Sequence, residues 1–203
     1  RKEVVDCIYA MMEKILSESR ISYIKWDMNR SITECYSAAL SPDRQGEVFH
    51  RYILGVYDLY DRLTKKFPQV LFESCASGGG RFDPGLLYYA PQGWASDDSD
   101  AVERLKIQYG TTMCYPVSSI GSHVSVVPNH QVFRNTPLHT RANVACFGTF
   151  GYELDLNRLP EEELEEVKKQ IAFMKEYREL LQFGTFYRIK SPFEGNETVW
   201  MTV

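Results

Sequence analysis

Strand-like and helix-like segments alternate along most of this 203-residue chain. The apolar residues of segment 2–19 recur at helical spacing, and "ISYIKWD" then has the composition of a short strand ending at Asp27. A helix is predicted from Pro42 to about Lys66, followed by the strand "QVLFESC". Strands that alternate with helices are typical of parallel sheets built from βα units, so we predict an α/β fold.

The second half of the chain repeats this order. A short strand is predicted within "LLYYAPQGWASDD", a compact helix with Gly110 at its C-cap in "DAVERLKIQYG", and a strand and loop in "TTMCYPVSSIGSH". The segment "TRANVACFGTFGYEL" fits either a helix or a strand. A long helix is predicted between Pro160 and Gly184, and a strand–turn–strand pattern in the last segment, "TFYRIKSPFEGNETVWMTV".

Composition argues against several classes of function. A net charge of −4 and a pI near 5.6 do not fit a nucleic-acid-binding surface, which is normally basic. No apolar run approaches the length that crosses a membrane, and no secretory signal is visible. The five scattered cysteines fit a reducing compartment, so we expect a cytoplasmic location. The four histidines lack the spacing of a metal site, and we expect neither a metal nor a cofactor.

Polar residues suited to catalysis come just after the predicted strands. Asp27, Cys75, Asp97 and segment 118–123 all occupy such positions. In (β/α) barrels the active site lies at this carboxyl end of the strands. A strand that ends in a carboxylate therefore predicts a pocket, because the strand fixes the side chain and the loop supplies its neighbours.

Two groups of carboxylates stand out. One is Asp27 in "KWDMNR", and the other is the acidic cluster that opens with Asp97 in "WASDDSD". Paired carboxylates beside aromatic walls are what glycoside hydrolysis uses, one as nucleophile or base and the other as proton donor. Lys25 and Arg30 favour the ionised Asp27 that a nucleophile requires, and crowding of acidic groups favours a protonated donor.

The acidic cluster also fits a structural role. Acidic clusters are most often solvated loops, and Asp98 or Ser99 could cap the helix that begins near Asp100. The run "SGGGR" does not match a phosphate-binding loop, and we favour a sharp turn that lets the backbone approach a ligand. Cys75 could be a nucleophile paired with His123, although a small buried side chain facing a ligand is the simpler hypothesis.

Four segments taken together carry a resemblance: "YIKWDMNR", "ESCASGGGRFD", "PQGWASDDSDAVERLKIQYGT" and "SHVSVVPNHQ". They resemble the catalytic domain of microbial α-galactosidases of glycoside hydrolase family 36, over nearly all of residues 20–160. The resemblance implies part of a TIM (β/α)8 barrel, from about strand 4 to helix 8, over residues 1–184. The start of a C-terminal β-domain is then expected over residues 185–203.

The resemblance also implies roles for individual residues. Asp27 matches the family's nucleophile, and Asp97 matches its proton donor, which later acts as base. Asp100 and Arg104 match the end of the W-x-S-D-x-x-D-x-x-x-R pattern and are expected to hold the pocket or the 2-hydroxyl of the sugar. The other positions that the resemblance places in the sugar subsite are Lys25, Trp26, Asn29, Cys75, Gly78, Arg81 and Trp94.

The implied activity is hydrolysis of terminal α-galactosyl residues of oligosaccharides such as melibiose and raffinose, by double displacement. The expected partner is the α-galactoside substrate, with no nucleic acid and no membrane, and the parent enzyme is expected to be a homo-oligomer. Two alternatives stay open. One is an α-N-acetylgalactosaminidase or galactosyltransferase on the same scaffold, and the other is a non-catalytic carbohydrate-binding remnant. The presence of both Asp27 and Asp97 argues against a remnant.

Members of this family are far longer than 203 residues. The acidic pair and the arginine that recognise the rest of the galactose in the family have no counterpart in this sequence. A partial barrel would also expose sheet edges, which promote association. We therefore expect this chain to be a fragment that is weak or inactive alone.

Overall fold

The computed structural model describes residues 1–29, 33 and 35–203. It divides into two compact units. The first contains Arg1–Ser77 and Arg81–Pro91, and the second contains Gly78–Gly80 and Gln92–Val203. Helices and strands alternate in both units, which confirms the predicted α/β class.

The first unit is built around two helices and two parallel strands. In chain order these are α1 (Lys2–Glu18), β1 (Tyr23–Asp27), α2 (Val48–Lys66) and β2 (Leu71–Cys75), followed by the single turn α3 (Pro84–Leu87). A 3-10 segment, Pro42–Glu47, precedes α2, so Pro42 opens the helical region as predicted. A proline is favourable there because the first turn has no partner for its missing N–H.

The two faces of β1 differ. Ile24 and Trp26 pack against the apolar core that α1, α2 and β2 form, whereas Lys25 and Asp27 are exposed. Strand side chains alternate between faces, so Lys25 and Asp27 share the face turned away from this core. In the parallel register, Asp27 lies opposite Cys75.

The second unit continues the alternation and ends in a hairpin. Its elements are β3 (Gln92–Gly93), α4 (Ala101–Thr111), β4 (Gly121–Ser125), α5 (Leu138–Ala145), β5 (Thr149–Glu153), α6 (Glu161–Phe183), β6 (Phe186–Lys190) and β7 (Val199–Thr202). Gly93 forms a parallel bridge with Ile120, just before β4. β4 and β5 pair in parallel, and β6 and β7 pair antiparallel, as the strand–turn–strand pattern predicted.

Two of the predictions for the second unit were wrong in detail. Gly110 does not cap α4, which continues to Thr111, with Thr112 as its right-handed C-cap. The hydroxyls of Thr111 and Thr112 bond the carbonyls of Ile107 and Tyr109, so the helix end needs no left-handed glycine. In "TTMCYPVSSIGSH" the loop comes first, and the strand begins only at its end.

The remaining segments of the second unit agree with the predictions from sequence. "TRANVACFGTFGYEL" contains both alternatives, since it holds most of α5 and then β5. The long helix α6 lies between Pro160 and Gly184 as predicted. Val124, Leu138 and Val167 meet in the apolar core of this unit. Among the described residues, no helix has the length and apolar character needed to cross a membrane.

Candidate active site

Asp27 is the last residue of β1, and the side chain of Asn29 holds its carboxylate. Nδ2 of Asn29 donates a hydrogen bond to Oδ2 of Asp27 at 2.8 Å. Oδ1 of the same amide accepts a hydrogen bond from the backbone N–H of Ser77 at 2.6 Å. Ser77 has a φ of 49°, a left-handed conformation that is uncommon for a residue with a side chain. The strand end thus presents an exposed carboxylate whose orientation is fixed from one side.

The residues around Asp27 divide between the two faces of the strand. Lys25 and Cys75 lie on its own face, and Cys75 is buried with only 5% of its surface exposed. Trp26 lies on the other face, where its ring centroid is 5.3 Å from that of Tyr60 and 6.4 Å from that of Phe72. The structure therefore places Trp26 in the apolar core and does not bring it to the face of Asp27. Arg30, expected to favour the ionised Asp27, lies outside the described residues.

Arg81 anchors the loop that follows β1. Its Nη2 donates to the backbone carbonyl of Met28, and its Cζ lies 5.7 Å from the ring centroid of Tyr52. The N–H of Met28 in turn donates to the carbonyl of Cys75 at 2.9 Å. Met28 is therefore held on both sides, which fixes the backbone between Asp27 and Asn29.

Asp97 differs from its acidic neighbours because they are engaged in local structure. Asp98 Oδ1 accepts the N–H of Asp100 at 3.0 Å. Asp100 is 2% exposed, and its Oδ2 accepts the N–H groups of Val102 and Glu103 at 3.1 Å each, so Asp100 itself caps α4. The carboxylate of Asp97 is exposed, and among the described residues no protein group hydrogen-bonds it.

Gly78 and Gly79 pack against the backbone that leads to Asp97. Gly78 has a φ of 71°, and a Cβ atom there would lie 2.7 Å from the Cα of Ser96 and 2.7 Å from the backbone nitrogen of Asp97. A Cβ atom on Gly79 would lie 2.5 Å from the carbonyl oxygen of Ala95. Gly78 and Gly79 are therefore required by a close approach between two backbones. The predicted approach of this turn to a ligand stays a prediction.

Arg104 is buried and supports the same backbone. Its Nη1 donates to the carbonyl of Ser96 at 3.3 Å, its Nη2 to the carbonyl of Gly121 at 2.5 Å, and its Nε to Oε1 of Gln108 at 3.1 Å. Burial lowers the pKa of Arg104 to about 10. The guanidinium Cζ also lies 4.5 Å from the ring centroid of Trp94. Arg104 thus spans two chain segments, one of which ends in Asp97.

Trp94 is part of a stack in the second unit. It is 4% exposed, and its ring stacks on that of His123 with centroids 4.5 Å apart and an interplanar angle of 22°. Nδ1 of His123 lies 3.2 Å from Oε2 of Glu153. The structure therefore shows Trp94 packed against protein groups, and its predicted contact with a sugar stays a prediction.

Sequence reasoning did not identify several residues that hold the site. The buried side chain of Asn129 donates to Oγ of Ser99 at 3.1 Å, which ties the loop after β4 to the loop after β3. Arg134 pairs with the carboxylate of Asp100. Gln108, fully buried, donates to the carbonyls of Val144 and Phe147 at 3.0 and 2.9 Å. Two features of the sequence could have indicated these residues. Gln108 is a polar residue at a core-facing position of a predicted helix, and Asn129 lies in the "PNH" sequence that follows a strand.

The protein-family model described as Melibiase matches residues 1–184. The α-galactosidase AgaA of Geobacillus stearothermophilus is 58% identical over all 203 residues, and Mel36A of Lactobacillus acidophilus is 54% identical. The chain covers 28% of the length of each of these two relatives. The crystal structure of AgaA superposes with a TM-score of 0.96, and that of an α-galactosidase from Lactobacillus brevis with 0.97 at 57% identity. A variant of AgaA has been solved in complex with raffinose, and another in complex with stachyose.

Proposed function

The chain belongs to the melibiase family, and from this premise we propose that it carries the two catalytic carboxylates of a retaining α-galactosidase. The observation that supports this most directly is the hydrogen bond from Asn29 to Asp27. It fixes an exposed carboxylate at the carboxyl end of a parallel strand, which is where barrel enzymes place catalytic groups. Asp97 is the one exposed carboxylate of the "WASDDSD" loop whose oxygens no described group uses.

The mechanism assigns one step to each carboxylate in turn. Asp27 attacks the anomeric carbon of the galactoside while Asp97 gives a proton to the departing oxygen, which forms a galactosyl ester on Asp27. Asp97 then takes a proton from water, whose oxygen attacks the anomeric carbon. The ester bond breaks, its electron pair returns to Asp27, and galactose leaves with its configuration retained.

Among the predicted subsite residues, we distinguish those proposed to contact the galactose from those proposed to hold the backbone in place. Lys25 and Cys75, on the face of Asp27, are proposed to contact the galactose. Gly78, Arg81, Asp100 and Arg104 are proposed to act by holding the backbone near the two carboxylates, because their described contacts are with the protein. Trp26 supports β1 from the core. Trp94, whose ring stacks on that of His123, is proposed to line the sugar subsite, as the resemblance implies.

The substrate class follows from the relatives. Variants of AgaA bind raffinose and stachyose, so we propose oligosaccharides with a terminal α-galactosyl group as substrates of the protein that contains this chain. We also propose that residues 1–184 form part of a (β/α)8 barrel and that 185–203 begin a C-terminal β-domain. The end of the family match at residue 184 and the hairpin that follows support this boundary. The scattered free cysteines fit a cytoplasmic enzyme.

A chimera provides the decisive experiment, because the chain alone spans a minor part of its relatives' length. The whole 203-residue chain would replace the matching segment of AgaA, and the 203-residue chain alone would be assayed beside it on an aryl α-galactoside. We expect turnover by the chimera and weak or no turnover by the chain alone. A galacto-configured epoxide probe should label Asp27, and peptide mapping by mass spectrometry identifies the labelled residue.

Variants assign the two roles. Asp27→Gly should lose turnover and recover with azide to give the β-galactosyl azide, whereas Asp97→Gly should recover to give the α-galactosyl azide. Asp43→Asn, which alters an exposed carboxylate of the 3-10 segment before α2, is the matched control and should be unaffected. Labelling of a carboxylate other than Asp27, or the same azide anomer from both variants, would overturn the proposal.

A further inference from the structure

Asn29 joins two groups of opposite hydrogen-bonding character. The backbone N–H of Ser77 can only donate, and an ionised Asp27 carboxylate can only accept. A carboxamide is a short side chain that carries both a donor and an acceptor, so it can satisfy both partners at once. The N–H of Ser77 also fixes which way the amide faces, because it requires Oδ1 and leaves Nδ2 for Asp27. The residue type at position 29 therefore follows from its two partners.

We propose that Asn29 is a positioning residue for the nucleophile, an inference that rests on the proposed function. Its Nδ2 holds Oδ2 of Asp27, so Oδ1 is the oxygen that attacks the anomeric carbon. The far end of this clamp is backbone: Ser77 has a left-handed φ, and Met28 between the two side chains is bonded to Arg81 and Cys75. A fixed attacking oxygen lowers the entropic cost of reaching the reactive geometry.

The same hydrogen bond acts more strongly in the second chemical step. A donor stabilises a charged carboxylate more than it stabilises the neutral carbonyl of an ester. When water attacks the anomeric carbon, the bond from that carbon to Oδ1 breaks and negative charge returns to the Asp27 carboxylate, while a water proton passes to Asp97. Nδ2 of Asn29 stabilises this charge by its hydrogen bond to Oδ2 of Asp27. Its loss should slow departure of Asp27 and let the galactosyl ester accumulate.

A direct contact between Asn29 and the sugar is the competing hypothesis. The family resemblance places Asn29 in the sugar subsite, where an oxygen or nitrogen of its amide would bind a hydroxyl. Loss of such a contact would raise KM. The carboxylate introduced by Asn29→Asp would keep an acceptor for a sugar hydroxyl, whereas against Asp27 it would place oxygen against oxygen. The two hypotheses therefore predict opposite orders of activity for the Ala and Asp variants.

The experiment compares Asn29→Ala and Asn29→Asp in the AgaA chimera with an aryl α-galactoside that has a good leaving group. The matched control is Asn157→Ala. Nδ2 of Asn157 bonds Oδ1 of Asp155 at 3.0 Å with the same two-residue spacing, on an exposed 3-10 segment. Steady-state kcat and KM are measured together with the burst of phenol in the first turnover, which counts galactosyl ester formed per enzyme.

For Asn29→Ala we expect kcat to fall about 10- to 100-fold, the range for losing a hydrogen bond to a charged group. KM should fall with it, and the burst should approach one phenol per enzyme, because the ester accumulates. Asn29→Asp should be less active than Asn29→Ala, and Asn157→Ala should match the unsubstituted chimera. Misfolding would lower the burst instead of raising it.

Other outcomes overturn the inference. A raised KM with unchanged kcat, or an Asp variant more active than the Ala variant, would assign Asn29 to sugar contact. An equal loss of kcat in Asn29→Ala and Asn29→Asp, without a burst of phenol, would assign Asn29 a purely structural role. If the unsubstituted chimera shows no label on Asp27, the proposed function has failed, and the role of Asn29 falls with it. That result precedes any measurement on position 29, so the two failures are distinguishable.

Discussion

A Cβ atom on Gly78 would lie 2.7 Å from the backbone nitrogen of Asp97, a distance that Cβ atoms do not adopt in folded proteins. The neighbour is backbone, so it cannot rotate away as a flexible side chain would. Gly78 also has a φ of 71°, which residues with a Cβ adopt at a cost. The glycine therefore sets how closely its turn approaches the segment that carries the proposed proton donor.

Gly78→Ala should displace this backbone and with it Asp97. We expect a loss of about 2–3 kcal/mol in the free energy of unfolding, from steric overlap together with the left-handed conformation. Turnover of the AgaA chimera should fall by more than about tenfold, since small shifts of a catalytic group are costly. Urea denaturation and an aryl α-galactoside assay measure the two effects.

Gly110→Ala is the control for this change. Gly110 lies inside α4 with nothing within 4 Å of an added Cβ, and alanine is the better helix former there. We expect a gain of about 0.5–1 kcal/mol in stability and unchanged turnover. Equal effects of the two substitutions would show that the contact between Gly78 and the Asp97 segment is unimportant.

Asp100 should act through the fold, as its contacts indicate. Asp100→Ala removes both the cap of α4 and one of the carboxylates that pair with Arg134, Glu103 being another, and should cost about 2–3 kcal/mol of stability. Asp100→Asn keeps a capping oxygen and should cost about 1 kcal/mol, because asparagine is also a favourable N-cap. Thermal and urea unfolding of the two variants give the order. An Asn variant of unchanged stability whose KM for the galactoside rises would instead indicate contact with the sugar.

The sequence predicted the elements of this chain better than it predicted the partners of individual side chains. The helix 2–19, the strand that ends at Asp27 and the long helix after Pro160 are set by local periodicity and end signals, which act within a few residues. Gly110 as a C-cap was wrong because two threonine hydroxyls complete that helix end, an alternative that glycine spacing does not reveal.

The candidate site residues also divide into those whose position local sequence predicts and those whose position depends on contacts distant in the chain. Alternation along "YIKWD" already separates Trp26 from Lys25 and Asp27, so the core position of Trp26 could have been predicted. The contacts of Arg104 and Asn129 join residues 17 and 30 positions apart in the chain. Such contacts depend on how loops from different strands meet, which no local pattern specifies.

Arg104→Lys should destabilise the protein although it keeps a positive charge. The guanidinium reaches the carbonyls of Ser96 and Gly121 and the amide of Gln108 with three separate N–H groups in one plane. A lysine ammonium cannot span these acceptors, and the unpaired buried groups cost free energy. We expect a loss of about 2–4 kcal/mol in urea denaturation. Lys106→Arg, on the exposed side of α4, is the control and should change stability little. A loss below about 0.5 kcal/mol for Arg104→Lys would contradict a supporting role for the guanidinium.

Cys146 should make stability depend on pH in the alkaline range. Burial raises the pKa of its thiol from 9.0 to about 11 in the folded chain. Because the folded pKa lies above the unfolded one, the folded state keeps a proton that the unfolded state loses between about pH 9 and 11. The contribution is fully present below pH 9 and is lost as the pH rises through 11, by about 2 kcal/mol in total.

The test of this pH dependence is a difference in slope between the unsubstituted chain and Cys146→Ala, measured by urea denaturation from about pH 8 to 11 under reducing conditions. Burial also raises the pKa of Tyr152 to about 12, and the nearby Cys146 thiolate adds to this shift, so the slopes are compared below about pH 10, where ionisation of that phenol contributes little in either protein. A cavity left by the smaller side chain lowers stability equally at every pH and leaves the slope difference intact. Cys114→Ala, which removes an exposed thiol, is the control. Parallel curves for the unsubstituted chain and Cys146→Ala would contradict the assignment to the Cys146 thiol.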